Sequence, residues 1–239
     1  MNTISFDKKN VKMVAHRGVS GLEMENTLAA FVAAGQRTHV GIETDVHVTK
    51  DGQIAVFHDD NTKRVTGVDM VVEESTLEEL QALRLYDRVE GTYRTDLRIP
   101  ILSEYIGICK KYEKTAVLEL KNHMQPEDIE KIINIIRELE YLENVIFISF
   151  DWENMIELRK IVPGQPAQFL DVKCDEELLA KLIENKLDLD IYHKSVTPEL
   201  IEALHANGLK LNAWTVDDPA DGEKYAEWGI DYITSNILE

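Results

Sequence analysis

Short apolar runs rich in β-branched residues recur along the chain. They lie at Lys12–Ala15, Val40–Val48, Thr115–Leu120, Val145–Phe150, Ala167–Val172, Leu187–Tyr192, Leu209–Val216 and Tyr232–Thr234. Most are separated by stretches of helical periodicity, such as Glu127–Glu140, Trp152–Ile161, Glu176–Asn185 and Pro198–Asn207. Alternating strand and helix patterns predict a parallel sheet with helical crossovers. Eight strands in 239 residues match the arithmetic of an α/β (β/α)₈ TIM barrel, with an open doubly wound sheet as the alternative. Helix ends support the parse. Thr197-Pro198-Glu199 places a capping hydroxyl before a proline at the first helical position, and Asn207-Gly208 ends the same helix.

One segment breaks the rhythm. The second run is followed by Thr49-Lys50-Asp51-Gly52-Gln53 and a further apolar run, Ile54–Phe57, ending in His58-Asp59. Asp-Gly between two apolar runs predicts a hairpin. A two-residue turn pairs Lys50 with Gln53 and sets His58 opposite Asp45, on the same face. A longer turn shifts the pairing by one and sets His58 opposite Thr44, facing away. The following stretch, about 60–100, carries the polar cluster Asn61–Gly67 and a short helical pattern from Thr76 to Leu83. It reads as a small insertion after the second strand, within a single domain spanning 1–239.

Composition adds boundaries. Cys109 and Cys174 are too few and too far apart for a disulfide framework or a zinc site. Met1 to Asn10 is polar, and no run approaches the roughly 18 apolar residues of a membrane span, so a cytoplasmic location is expected. The formal charge of −18 repels nucleic acid and anionic membrane surfaces. Neither is expected as a partner, and oligomeric state stays open. An anionic substrate would require that field to be reversed locally by Arg, Lys or a metal ion.

In a parallel barrel, functional residues gather at the C-terminal strand ends. The first run delivers His16, Arg17 and Gly18, the second Glu43 and Asp45, and the third Glu119 and Lys121. Residues two apart on a strand share a face, so three carboxylates converge at the barrel mouth if that face is the interior. Like charges that close call for a cation. Three oxygen donors without cysteine suit Mg²⁺ or Ca²⁺. The competing reading places Glu43 and Asp45 on an exposed edge and pairs Glu119 with Lys121 alone. In the first hairpin register His58 joins His16 near the carboxylates, as a general acid and base pair for displacement at phosphorus.

His16-Arg17-Gly18, Glu25-Asn26-Thr27, Glu43-Thr44-Asp45, Thr49-Lys50-Asp51-Gly52, His58-Asp59, Glu119-Leu120-Lys121 and Asn212-Ala213-Trp214-Thr215-Val216 occur in one order and context. From about Val11 to Ser235 the chain resembles the glycerophosphodiester phosphodiesterase family. The resemblance implies a (β/α)₈ barrel with an insertion and a metal-dependent phosphodiesterase releasing sn-glycerol 3-phosphate and an alcohol. It carries His16 and His58 over as the acid–base pair, and Glu43, Asp45 and Glu119 as metal ligands. Arg17 and Lys121 match phosphate-contacting positions.

Trp214 is a candidate wall for the glycerol carbons, and Phe150 a candidate cleft residue. Glu25 and Asn26 are expected to cap the first helix or position Arg17. His39, His47, His123, His193 and His205 read as structural or surface residues. The sequence Thr234-Ser235-Asn236-Ile237 departs from the family, where many relatives carry an aspartate and a proline after the threonine; Ile99–Glu104 matches only loosely. Neither departure is expected to touch the histidines or the metal set. A related phospholipase-type lyase forming a cyclic phosphate, or a non-catalytic phosphodiester-binding barrel, remain the alternatives.

Overall fold

Both faces of most strands are buried, which is why they read as near-continuous apolar runs. The computed structural model describes residues 2–87 and 92–239. The elements follow one another as β1 (Lys12–Ala15), α1 (Leu28–Gly35), β2 (Gly41–Val48), β3 (Ile54–Val56), α2 (Lys63–Thr66), α3 (Leu77–Gln81), α4 (Leu102–Tyr112), β4 (Thr115–Leu120) and α5 (Pro126–Glu138). They continue with β5 (Val145–Ser149), α6 (Trp152–Ile161), β6 (Ala167–Asp171), α7 (Glu176–Asn185), β7 (Asp188–Tyr192), α8 (Pro198–Ala206), β8 (Leu211–Trp214), α9 (Pro219–Trp228) and β9 (Tyr232–Ser235). The sheet order is β1-β9-β8-β7-β6-β5-β4-β2, closed by β1 against β2, with β3 antiparallel on β2. Eight parallel strands with intervening helices make the expected (β/α)₈ barrel, and the open-sheet alternative falls because both ends of the sheet pair.

Strand alternation divides the apolar residues between two cores. Outward side chains such as Met13, Ile42, Val46, Leu118, Phe147 and Leu189 pack against the helices. On α5, Ile129, Ile132, Ile133 and Ile136 form one buried stripe, each stabilising by roughly 1.5–3 kcal/mol. Inside the barrel, Val14, Val117, Ile146, Ile148, Leu170 and Tyr232 form a separate cluster. Above it the interior turns polar. Glu43, Asp45 and Glu119 are buried there, so the exposed-edge reading of Glu43 and Asp45 does not hold. Among the described residues no helix is long and apolar enough to cross a membrane.

The hairpin takes the longer turn. Val46 faces Val56, His47 faces Ala55 and Val48 faces Ile54. Thr49 N–H donates to the Gln53 carbonyl at 2.9 Å, and Gly52 sits at φ 71. Three residues therefore make the loop, with glycine at the left-handed position such loops need. Asp51 selects it, because its carboxylate accepts from Thr49 Oγ1 and from Leu77 N–H. The register that faces His58 with Asp45 is thus incorrect, and Asp45 faces Phe57 (whose N–H donates to its carbonyl at 3.0 Å). β3 then stops at Val56 and the chain bends through His58–Asp60. This bend, and not the register, turns the imidazole toward the barrel mouth.

Between the bend and α4, the described residues carry their own small core, including Phe57, Val65, Val72, Leu80, Leu85 and Ile99. Residues 88–91 of the expected insertion lie outside the described residues. The insertion docks on the loops after β1 and β4, through Arg64 on Glu25 and Asn122 on Asp60 and Glu73.

Gly18 is a packing residue. It has φ 77, and a Cβ there would lie 2.6 Å from Ala30 Cβ and 2.7 Å from the Ala30 carbonyl carbon of α1. Close approach of helix to loop, not of substrate to backbone, is what requires glycine. Gly18→Ala is expected to destabilise the fold by about 2–5 kcal/mol, combining backbone strain with overpacking. Urea unfolding checks this; an unchanged midpoint would contradict it.

Candidate active site

His16 follows directly on β1, and Arg17 comes next at φ 51, a left-handed turn that aims its N–H at Glu43 Oε2, 2.8 Å away. The Arg17 guanidinium donates to Glu25 at 2.9 Å, and its Nε stands 3.8 Å from Asp45. Glu25 therefore positions Arg17, and it also accepts from Arg64. Asn26 does not cap α1, a role Thr27 takes through its hydroxyl. The Asn26 amide instead donates to Asp45 Oδ2 at 2.8 Å and accepts from Thr44 Oγ1.

Glu43, Asp45 and Glu119 each bring an oxygen within 4.8 Å of the others. Lys121 Nζ lies 2.9 Å from Glu119 and 3.8 Å from Asp45 Oδ1. At an effective dielectric near 20, two carboxylates that far apart repel by about 3 kcal/mol. Burial, then Asp45, pushes Glu43 well above the usual range. The same two causes, against Lys121, push Glu119 up to about 8. Burial also acts to raise Asp45, but Arg17, His58 and Lys121 outweigh it and hold it below its ordinary value.

Two fixed cations thus face three buried carboxylates, and among the described residues Asp45 Oδ1 and Arg17 Nε are buried without a hydrogen-bond partner. The donor set is all oxygen, clustered and short of positive charge. It fits a hard divalent cation.

The two histidines sit in different hydrogen-bond settings. His16 Nδ1 lies 2.7 Å from Asn236 Oδ1. The Asn236 amide nitrogen donates to Asp217 at 2.6 Å, so its oxygen must face the ring. His16 therefore donates from Nδ1 and presents a bare Nε2, 4.0 Å from Glu43. Burial, then Arg17, lowers its pKa to about 4, which keeps the ring neutral at pH 7. His58 Nδ1 instead faces the Asp59 carboxylate at 2.6 Å, and Arg64 holds Asp59 in turn. Burial lowers the His58 pKa, followed by Arg17 and Lys121, while Asp45 and Asp59 oppose them.

Contrary to expectation, the departure at Asn236 touches a histidine directly. His47 is a structural residue, as expected, and its place is beside the site. It is fully buried, its Nε2 donates to the His58 carbonyl at 3.2 Å, and its Nδ1 lies 2.9 Å from Glu73. His39 is buried on the Leu238 carbonyl, whereas His123, His193 and His205 pair elsewhere with Asp151, Asp221 and Asp231. Sequence spacing held no signal for Asn236, which is 220 residues from its partner.

A cavity of about 60 Å³ joins these groups, with His16, Arg17, Glu43, His58 and Glu119 on one side. Ile148, Phe150, Leu170, Asp190, Trp214 and Thr234 complete its lining. Phe150 and Trp214 meet edge to face at 5.6 Å. Lys121 opens onto an adjoining cleft with Glu119 and Phe150.

Comparison with known proteins agrees with this arrangement. The chain is 32% identical over 231 residues to a glycerophosphodiester phosphodiesterase of Caldanaerobacter subterraneus subsp. tengcongensis, covering 95% of this chain and 94% of that protein. A glycerophosphodiester phosphodiesterase of Bacillus altitudinis is 30% identical over 234 residues, covering 95% and 94%. A solved phosphodiesterase of Oleispira antarctica, in complex with the product sn-glycerol-3-phosphate, superposes with a TM-score of 0.87. It is 25% identical, with 98% of this chain and 96% of that chain covered. The model of the glycerophosphoryl diester phosphodiesterase family matches residues 16–238. With its barrel, its buried acidic cluster and its relatives in accord, the chain belongs to the glycerophosphoryl diester phosphodiesterase family and is a phosphodiesterase.

Proposed function

We propose that this barrel is a cytoplasmic, single-domain enzyme that hydrolyses glycerophosphodiesters to sn-glycerol 3-phosphate and an alcohol. His16 and His58 form the acid–base pair, Arg17, Lys121 and Trp214 contact substrate, and Glu43, Asp45 and Glu119 hold Mg²⁺ or Ca²⁺. The observation that carries the reading is one cavity lined by two differently partnered histidines and by Glu43 and Glu119, two members of a buried carboxylate trio completed by Asp45. The bound cation would polarise phosphoryl oxygens and offset the charge that develops on them.

The partners of the two rings suggest which histidine does what. His16 Nε2 is a bare acceptor on a neutral ring, suited to take the proton of the attacking hydroxyl. His58 has a carboxylate behind it that stabilises an imidazolium, suited to protonate the leaving alkoxide. In hydrolysis water adds to phosphorus, the phosphorus–oxygen bond to the alcohol breaks, and the proton balance closes through the two rings. Arg17 supplies a fixed cation to the phosphate, and Trp214 packs against the glycerol carbons. The attacking hydroxyl belongs to water or to the neighbouring glycerol carbon. Phosphorus NMR separates the two, since the second route passes through a cyclic phosphate.

The test is release of sn-glycerol 3-phosphate from a panel of glycerophosphodiesters with Mg²⁺ or Ca²⁺, coupled to its dehydrogenase. No release from any member would overturn the proposal. A second measurement concerns protons. Glu119, raised to about 8, is protonated below that pH and must lose its proton to bind a cation. Cation affinity is therefore expected to rise with pH through the neutral range, as the protons of Glu119 and of the likewise raised Glu43 are displaced. Calorimetry in buffers of different ionisation enthalpy should read net proton release on cation binding at pH 7. Release of none would contradict a ligand role for Glu119.

A further inference from the structure

Asp190, on β7, has no part in the acid–base pair or the cation-binding trio. It is 2% exposed and lies on the barrel interior, with Leu170 and Asn212 as its ladder neighbours. It lines the same cavity as His16, Glu43 and Glu119, yet among the described residues its buried Oδ1 has no hydrogen-bond partner. An unpaired buried carboxyl oxygen is unfavourable, so a ligand group that bonds it gains a contact the protein itself does not provide.

The surroundings narrow what that group is. Asp190 is set among Ile148, Phe150, Leu170 and Trp214, so the ligand part reaching it carries carbon as well as a polar atom. The polar atom is small, because the cavity measures only about 60 Å³, room for several water-sized groups. A hydroxyl both donates and accepts, and it satisfies Oδ1 whether or not the carboxyl holds a proton. A quaternary ammonium offers no hydrogen bond at all. Burial also pushes the Asp190 carboxyl well above its usual range, which disfavours a role as counter-ion to an ammonium.

We infer that Asp190 recognises a hydroxyl of the substrate's glycerol moiety and thereby selects glycerol-containing diesters over diesters of simple alcohols. The inference rests on the proposed function. It makes Asp190 a specificity residue on the wall formed by β5–β8, facing the phosphate-handling groups supplied by β1, β2 and β4.

The experiment compares kcat/KM for glycerophosphocholine and ethylphosphocholine, which share a head group and differ in the glycerol, using cation-saturated protein. The parent is expected to favour glycerophosphocholine by about 100-fold or more, because a site built to bond a hydroxyl rejects an analogue lacking it. In Asp190→Leu that ratio should collapse to within about threefold, while Asp190→Asn, whose amide still bonds a hydroxyl, keeps most of it. Thermal melts establish that both variants fold. Equal losses on the two substrates, or an unchanged ratio, would overturn the assignment. So would a loss confined to choline diesters that spares glycerophosphoinositol, which would mark a cation site instead.

A binding arm separates this inference from the function it rests on. Calorimetry with sn-glycerol 3-phosphate and ethyl phosphate should show the same discrimination in the parent and its loss in Asp190→Leu. A parent that binds sn-glycerol 3-phosphate selectively but hydrolyses no diester would overturn the hydrolytic reading and support Asp190. One that hydrolyses and binds both kinds of compound equally well would overturn Asp190 alone.

Discussion

Alanine at His16 or at His58 is expected to lower kcat on glycerophosphocholine by about 10²–10⁴-fold, the usual contribution of a positioned proton-transfer group. The fold should survive both changes, because each ring sits at the edge of the cavity and neither belongs to an apolar core. Together the two substitutions should cost less than the product of the single losses, since groups acting on one transition state are not additive. The partners give a finer expectation. Asn236→Ala removes the group that holds His16 Nδ1, so the wrong tautomer becomes accessible and kcat falls with KM little changed. Asp59→Asn removes the carboxylate behind His58, and the alkaline limb of the rate profile, where the general acid loses its proton, should move to lower pH. If either histidine variant kept near-parental turnover while correctly folded, that residue would not be half of the pair.

Stripping the divalent cation is the second large effect. Thorough chelation is expected to lower turnover by at least about 10³-fold, with recovery on adding Mg²⁺ or Ca²⁺, because transition-state charge then faces three buried carboxylates uncompensated. Stability should respond as well. Glu119 has its folded pKa raised to about 8 from an ordinary 4.5. A raised folded value means that its protonated form favours folding below about pH 4.5, and that this stability is lost as pH rises through 8. The cation-free protein should therefore melt progressively lower across that window. Glu119→Gln, which removes the charge but keeps the shape, should melt higher than the cation-free parent at pH 8 and be inactive with or without cation. Full turnover after chelation would remove the cation from the mechanism. A cation-free parent insensitive to pH would show that the trio does not repel as argued.

Much of this site was legible because strand alternation is a local rule. Glu43 and Asp45, and Glu119 and Lys121, are two residues apart on strands, so placing one on the interior places the other. The pairing of β2 with β4 then sets Asp45 beside Glu119 without further information. His58 shows the limit of such reasoning. Its membership of the site followed from the family resemblance, while the hairpin register inferred for it was off by one residue. What decides the turn is Asp51 reaching the N–H of Leu77, a contact across 26 residues. Helix α1 escaped periodicity because Leu28–Gly35 is apolar on every face and offers no stripe to detect.

The sequence by itself determined the barrel and the chemistry at its strand ends. Hydrophobic periods and motif order are properties of neighbouring residues, and backbone geometry converts them into faces. Only the tertiary structure decided how that chemistry is held. Asn236 meets His16 because β1 and β9 lie side by side when the barrel closes. Asn26 holds Asp45, His47 anchors the His58 carbonyl, and α1 packs too close to Gly18 for any larger residue. Asp190 reaches the cavity from the opposite wall for the same reason. The paired contacts span from 11 residues, between His47 and His58, to 220, between His16 and Asn236. Their partners are set by closure of the sheet, packing of α1 on the first loop and the bend after β3, which no strand or helix period encodes.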